Sequence, residues 1–188
     1  MTIVYILAIL VQVGIIIYFV RKGRTATKED AGKKTQDTTT YEGTRTAAIS
    51  VTPDDLKLKI PETATFVYGV VMDWDMGDNI LTLAAYITGA ANVYLSTGAG
   101  ITGGGKNPEV AELAVTFVTD AQDFINRAVP VTSADYPSKG CVRFYLLTNK
   151  GVYAAQEQLI HFEDTTSPWL AMFIRGNTVI TEMRAGLN

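Results

Sequence analysis

The chain has one cysteine, Cys141, and one histidine, His161, among its 188 residues. A lone cysteine excludes an intramolecular disulfide framework, which fits a reducing compartment. A lone histidine excludes a metal site built from several histidines. An excess of positive charge is missing too: 16 Lys and Arg stand against 19 Asp and Glu, for a formal net charge of −3. Through residue 50 there are seven basic and four acidic residues; from residue 51 onward there are nine basic and fifteen acidic. An acidic domain repels phosphate backbones, so nucleic-acid binding is not expected.

Charge is absent altogether from residues 3–20, IVYILAILVQVGIIIYFV, which also lack proline. Eighteen helical residues reach roughly 27 Å, enough to cross a hydrocarbon core. Tyr5 near one end, and Tyr18 and Phe19 near the other, suit the two interfaces, and Arg21, Lys22 and Arg24 follow at once. A cleaved signal peptide would want a basic start and a small-residue cleavage site, where this chain has Arg-Lys-Gly-Arg after the run and no charged side chain before it. A lipoprotein anchor would need a cysteine there, and a pilin-like helix an early glutamate. Residues 1–20 therefore read as a single-pass signal-anchor helix. The basic cluster predicts the N-terminus outside the cell (inner) membrane and the domain in the cytoplasm. Gln12 reads either as a hydrogen-bonding contact to a partner helix, typically about 0.5–2 kcal/mol, or as a tolerated lone amide.

Residues 21–50 are rich in Thr, Lys, Gly and Ala without apolar periodicity. Such a stretch cannot offset its ordering entropy by burial. It reads as a flexible tether of roughly 30 Å r.m.s. span, its first basic residues lying against anionic headgroups at about 1 kcal/mol each.

Residues 51–188 read as one α+β domain of order β-β-β-α-β-β-α, an antiparallel sheet with helices packed on it. Apolar β-rich runs at 65–73, 80–88 and 92–96, separated by Gly, Asp and Asn, predict a meander. Asn107 as N-cap and Pro108 at the first helical position open the strongest helix signal. Val110, Leu113, Ala114, Phe117, Ala121, Phe124, Ile125 and Ala128 continue it on one face. Residues 141–148 and 152–156 flank Asn149-Lys150-Gly151 as a hairpin. Ser167-Pro168 opens a last helix, with Gly176-Asn177 as its expected stop; residues 178–184 continue as helix or strand.

Few residue sets suggest chemistry. The most unusual stretch is Ser96-Thr97-Gly98-Ala99-Gly100-Ile101-Thr102-Gly103-Gly104-Gly105-Lys106-Asn107. It holds Gly98-x-Gly100-x-x-Gly103 and seven of the eight positions of a phosphate-binding loop, between a strand and a helix N-terminus. Against that, Asn107 stands where a metal-binding hydroxyl would be, and two antiparallel strands precede the loop rather than a first parallel strand. An anion or nucleotide cradle formed by Gly98, Gly100, Gly103, Gly104, Gly105, Lys106 and Asn107 is one reading, and a structural loop the other. Asp73, Asp75 and Asp78 read as an acidic turn, because the alternating oxygen ligands of a calcium loop are missing. Trp74 and Met76 beside them either tuck under the sheet or meet a partner. Cys141 reads as a small core residue. Nothing in the spacing brings His161 to Cys141 or to a serine as a nucleophile pair. Trp169, Met172 and Phe173 fall at helical spacing and read as core. No cofactor or metal is implied, and no enzyme activity is expected.

Met72 to Gly77, MDWDMG, with Ser96-Thr97-Gly98-x-Gly100 and the triple glycine, resembles a group of small bacterial proteins of no known function. The element order over roughly residues 65–185 is similar to that of the profilin-like, roadblock and longin modules. That resemblance implies a protein-binding platform or dimerisation unit. It departs from roadblock domains in lacking a signalled helix before the first strand. The expected function is a membrane-tethered adaptor or scaffold that binds a protein partner or a second copy of itself, with a small-ligand sensor at the glycine loop as the alternative.

Overall fold

The computed structural model describes residues 40–186. The apolar run 3–20 with its Gln12, and residues 21–39 of the tether, lie outside the described residues. Among the described residues no helix is long and apolar enough to cross a membrane.

Asn107 caps its helix as its position before Pro108 predicts: its side chain accepts from the Glu109 amide at 2.9 Å. Helix α2 then covers Pro108–Asp120 and tightens into 3-10 turns over Ala121–Arg127. The strands also follow their apolar runs. β1 is Val67–Asp75, β2 Ile80–Tyr86 and β3 Ala91–Leu95. A two-residue β4, Gly100–Ile101, and a short β5, Val129–Val131, carry no sequence signal. β6, Cys141–Thr148, and β7, Gly151–Gln158, close the expected hairpin. All seven strands form one antiparallel sheet in the order β4-β3-β2-β1-β6-β7-β5. The chain is α+β. Both sheet edges are blunt, one only two residues long and the other carrying Pro130, which cannot donate to an added strand.

β1 lies near the middle and is buried from Val67 to Trp74. Successive residues of a strand point to opposite faces, so a strand buried throughout needs cover on both. On one face Met72 meets helix α4, Leu170–Ala185, beside Phe117 of α2. On the other, Val71 packs with Ala84, Tyr145 and Leu147 under Ala48 and Ile49. Those last two belong to a helix that the sequence did not signal: α1, Tyr41–Ile49. The boundary drawn at residue 50 between tether and domain is therefore wrong, since the folded unit already includes residue 41. A helix thus precedes the first strand, where the sequence signalled none.

The expected stop at Gly176-Asn177 is also overturned, for α4 runs straight through both. A Cβ at Gly176 would sit 2.8 Å from the Met72 sulfur. The glycine serves the close approach of helix to strand, not termination. Asn177 turns inward and donates to the Phe173 carbonyl at 2.8 Å. Trp169 and Phe173 are core as expected. Trp169 stacks on Phe144 with centroids 5.1 Å apart, and Phe173 on Phe162 of the short helix α3, Leu159–Glu163, at 4.4 Å.

Because α1 belongs to the fold, a chain beginning at residue 51 is expected to be less stable than one beginning at residue 39. The loss should be roughly 3–5 kcal/mol, as for a buried charge stripped of its partner, read as a lower urea midpoint. An unchanged midpoint would return α1 to the tether.

Candidate functional site

Helix α1 starts where Thr40 accepts the Gly43 amide at 3.1 Å and carries a charge into the protein. Arg45 is 3% exposed and Asp73 of β1 is fully buried. Arg45 Nε donates to Asp73 Oδ2 at 2.8 Å, and Nη2 lies 2.6 Å from the same oxygen. Nη1 donates to the Ala134 carbonyl at 2.7 Å and Nη2 to the Asp135 carbonyl at 2.9 Å. Directly across from Asp73 on β2 stands Thr82, whose hydroxyl donates to Asp73 Oδ1. That spends the threonine proton, so the 2.8 Å contact between Tyr41 and Thr82 has the tyrosine as donor.

Burial depresses the Arg45 guanidinium, but the hydrogen bond and charge of Asp73 outweigh it and raise it above its usual range. Burial raises the Asp73 carboxyl above its usual range, with Arg45 and Thr82 pulling against it; two guanidinium nitrogens within 2.8 Å favour its carboxylate form. Burial also raises the Tyr41 hydroxyl, against the opposing Thr82 bond, and keeps it a neutral donor. Three more tyrosines complete the seat. Tyr86 donates to the Ala48 carbonyl at 2.9 Å and Tyr68 to the Val51 carbonyl at 2.8 Å. Tyr145 donates to the Asp135 carbonyl that Arg45 also uses.

One side of this network reaches solvent. Tyr136 is 41% exposed, and its ring lies 4.4 Å from the Arg45 guanidinium carbon. It also stacks on Tyr41 with centroids 6.3 Å apart. On β6, directly across from Asp73, stands Arg143. A partly exposed tyrosine held over an arginine is the side-chain chemistry that dominates binding energy at protein interfaces. No sequence rule marked this cluster, because α1, β1 and the 132–140 loop are far apart in the chain.

The residues singled out by motif go elsewhere. Gly98, with φ +90°, turns the β3–β4 hairpin, where its amide donates to the Leu95 carbonyl at 2.8 Å. Gly100 passes so near β3 that a Cβ would meet the Val93 carbonyl at 2.8 Å. The Gly103 amide donates to Asn92 Oδ1 at 3.0 Å. A Cβ on Gly104 would lie 3.0 Å from the Ala91 carbonyl and 2.9 Å from Val110, and one on Gly105 3.0 Å from the Gly89 carbonyl. The Lys106 and Asn107 amides close the 3-10 turn onto Gly103 and Gly104. These donors, which a phosphate cradle would aim at an anion, serve internal acceptors, and the glycines suit turns and close packing.

Trp74 and Met76 part company. Trp74 is 2% exposed and packs edge-on to Phe173 at 5.1 Å, so its reading as an interaction residue is corrected: β1 continues through it and aims it into the core. Met76 is half-buried in the β1–β2 turn. The acidic turn is likewise divided. Asp73 goes inward, while Asp75 accepts the Gly77 and Gly140 amides at 2.9 and 2.7 Å. Among the described residues no group of three His, Cys, Asp or Glu is placed to hold a metal ion.

His161 Nδ1 lies 2.6 Å from Glu157 Oε1, and Ser167 donates to Glu157 Oε2 at 3.1 Å. The carboxylate sits between histidine and serine, an order that activates no nucleophile. Burial pushes the Glu157 carboxyl up, but His161, the Gln158 amide and Ser167 outweigh it and hold it below its usual range. Cys141 is buried, with its thiol near the Lys139 carbonyl.

Gly104→Ala is expected to destabilise the domain by about 1–3 kcal/mol through overpacking. Lys106→Ala, at an exposed position, should stay within about 0.5 kcal/mol. Chemical denaturation of both variants checks the packing role, and a neutral Gly104→Ala would refute it.

No protein-family model matches this chain, and no curated protein or solved structure matches it either.

Proposed function

We propose that this chain is a membrane-tethered protein-interaction domain, an adaptor or scaffold that holds a protein partner at the inner face of the cell membrane. The observation that carries this reading is the partly exposed Tyr136, stacked on Tyr41 over the Arg45 guanidinium. Such an anchor is supported before binding, because Arg45, itself bonded to Asp73, lies beneath its ring. A preorganised aromatic loses little side-chain entropy on docking. The blunt sheet edges favour a partner that reads side chains over one that adds a strand. The uncharged run 3–20 with its trailing basic cluster supplies the tether and the cytoplasmic orientation.

The alternative, an anion or nucleotide sensor at residues 98–107, has less support, since the loop amides named above serve internal carbonyl and amide acceptors. Loss of a ligand-induced thermal shift in Lys106→Ala would revive it.

Full-length protein isolated from its own membranes in mild detergent is expected to bring one stoichiometric protein partner. Tyr136→Ala should weaken that complex at least about tenfold, as loss of an interface anchor does, while the free domain stays folded. A monomer that carries no partner would overturn the reading.

A further inference from the structure

Beside Asp73 stands a second arginine whose own ion pair is loose. Arg143 faces Asp73 across the β1–β6 pairing and Gln156 across the β6–β7 pairing. Both oxygens of Asp73 are already engaged, Oδ2 by Arg45 and Oδ1 by Thr82. The Arg143 side chain is 18% exposed, and among the described residues its Nε is sealed from solvent without an acceptor. Among the described residues its nearest acidic oxygen, Asp135 Oδ2, lies 3.9 Å from Nη2 on a side chain 65% exposed. That oxygen also accepts the Ser133 hydroxyl at 2.9 Å. Asp73 is thus committed to Arg45 and Thr82, and the acid that pairs with Arg143, Asp135, is too distant for a hydrogen bond and largely solvated.

A part-buried cation left in this state is costly unless a counter-charge approaches from the open side. Asp135 marks that side, and the next residue along the chain is the exposed Tyr136. We propose that Arg143 receives the carboxylate of an acidic segment on the protein partner. This rests on the interaction reading above and names the chemistry of the partner at the same surface. A planar guanidinium suits a carboxylate through paired N–H donors, where a lysine offers only a point charge. The Tyr145 ring, 5.3 Å from the Arg143 guanidinium carbon, holds the group in place. Because the domain around it is net acidic, the attraction is local, and salt should screen its exposed part.

The test is binding of a fluorescent tetraglutamate peptide to full-length protein in detergent at fixed ionic strength, with tetraglutamine as the control. Wild type should bind the glutamate peptide saturably and the glutamine peptide at least about tenfold more weakly. Arg143→Gln should lose that preference, and Arg143→Lys should keep part of it. If Arg143 were purely structural, Arg143→Gln would melt lower; here its unfolding temperature should equal or exceed that of wild type. Equal binding of the two peptides, no binding of either, or an Arg143→Gln protein that binds like wild type would each overturn the proposal. Such a failure alongside a native complex that still depends on Tyr136 would leave the interaction reading standing. A protein without any partner would remove both.

Discussion

Arg45 and Asp73 form the interaction on which one whole face of this domain depends. A carboxylate fully buried in the central part of a seven-stranded sheet has no water to solvate it. It is tolerated only because a guanidinium is brought to it, and α1 exists at that place to bring it. The same guanidinium then binds two carbonyls of the 132–140 loop, so one side chain joins helix, strand and loop. Breaking such a pair from one side is far more costly than never having built it. What the pair provides is therefore position more than raw stability: it fixes where α1, Tyr136 and the loop sit.

The opposite face depends on ordinary packing. Gly176 lets Met72 reach into the groove of α4, and Phe117, Phe144, Phe173 and Trp169 fill the space between sheet and helices. The two faces share β1, which explains why that strand is apolar almost throughout and yet carries one fully buried acid. Asp73 belongs to the α1 face, and its neighbours Met72 and Trp74 belong to the helix α4 face. The alternation along three residues divides the molecule between a polar, tyrosine-rich side and an apolar, phenylalanine-rich side.

Much of this was legible from residue order. Asn107-Pro108 marked a helix start because capping is local chemistry, and Asn149-Lys150-Gly151 marked a hairpin for the same reason. The apolar run at 65–73 announced the first strand of a meander, but not that it is covered on both faces. What failed were features whose meaning lies across the chain. Arg45 looked like one more charge in a polar tether, because nothing within nine residues of helix discloses a partner 28 positions on. Asp73 looked like turn acid because Asp75 and Asp78 are. Gly176 looked like a stop, since a glycine in a helix is normally a cost, and the Met72 side chain that offsets it is remote in sequence. The glycine loop attracted attention through spacing alone, whereas its glycines are explained by the carbonyls they pass.

The most direct test is a double-mutant cycle on Arg45→Met and Asp73→Val, followed by urea denaturation. If the pair organises the α1 face, each single variant should lose about 3–5 kcal/mol. The double variant should then lose less than their sum by at least about 2 kcal/mol, the mark of a directly coupled pair. Losses that simply add, within about 0.5 kcal/mol, would mean that the two charges do not act together, and the placement of α1 would need another cause.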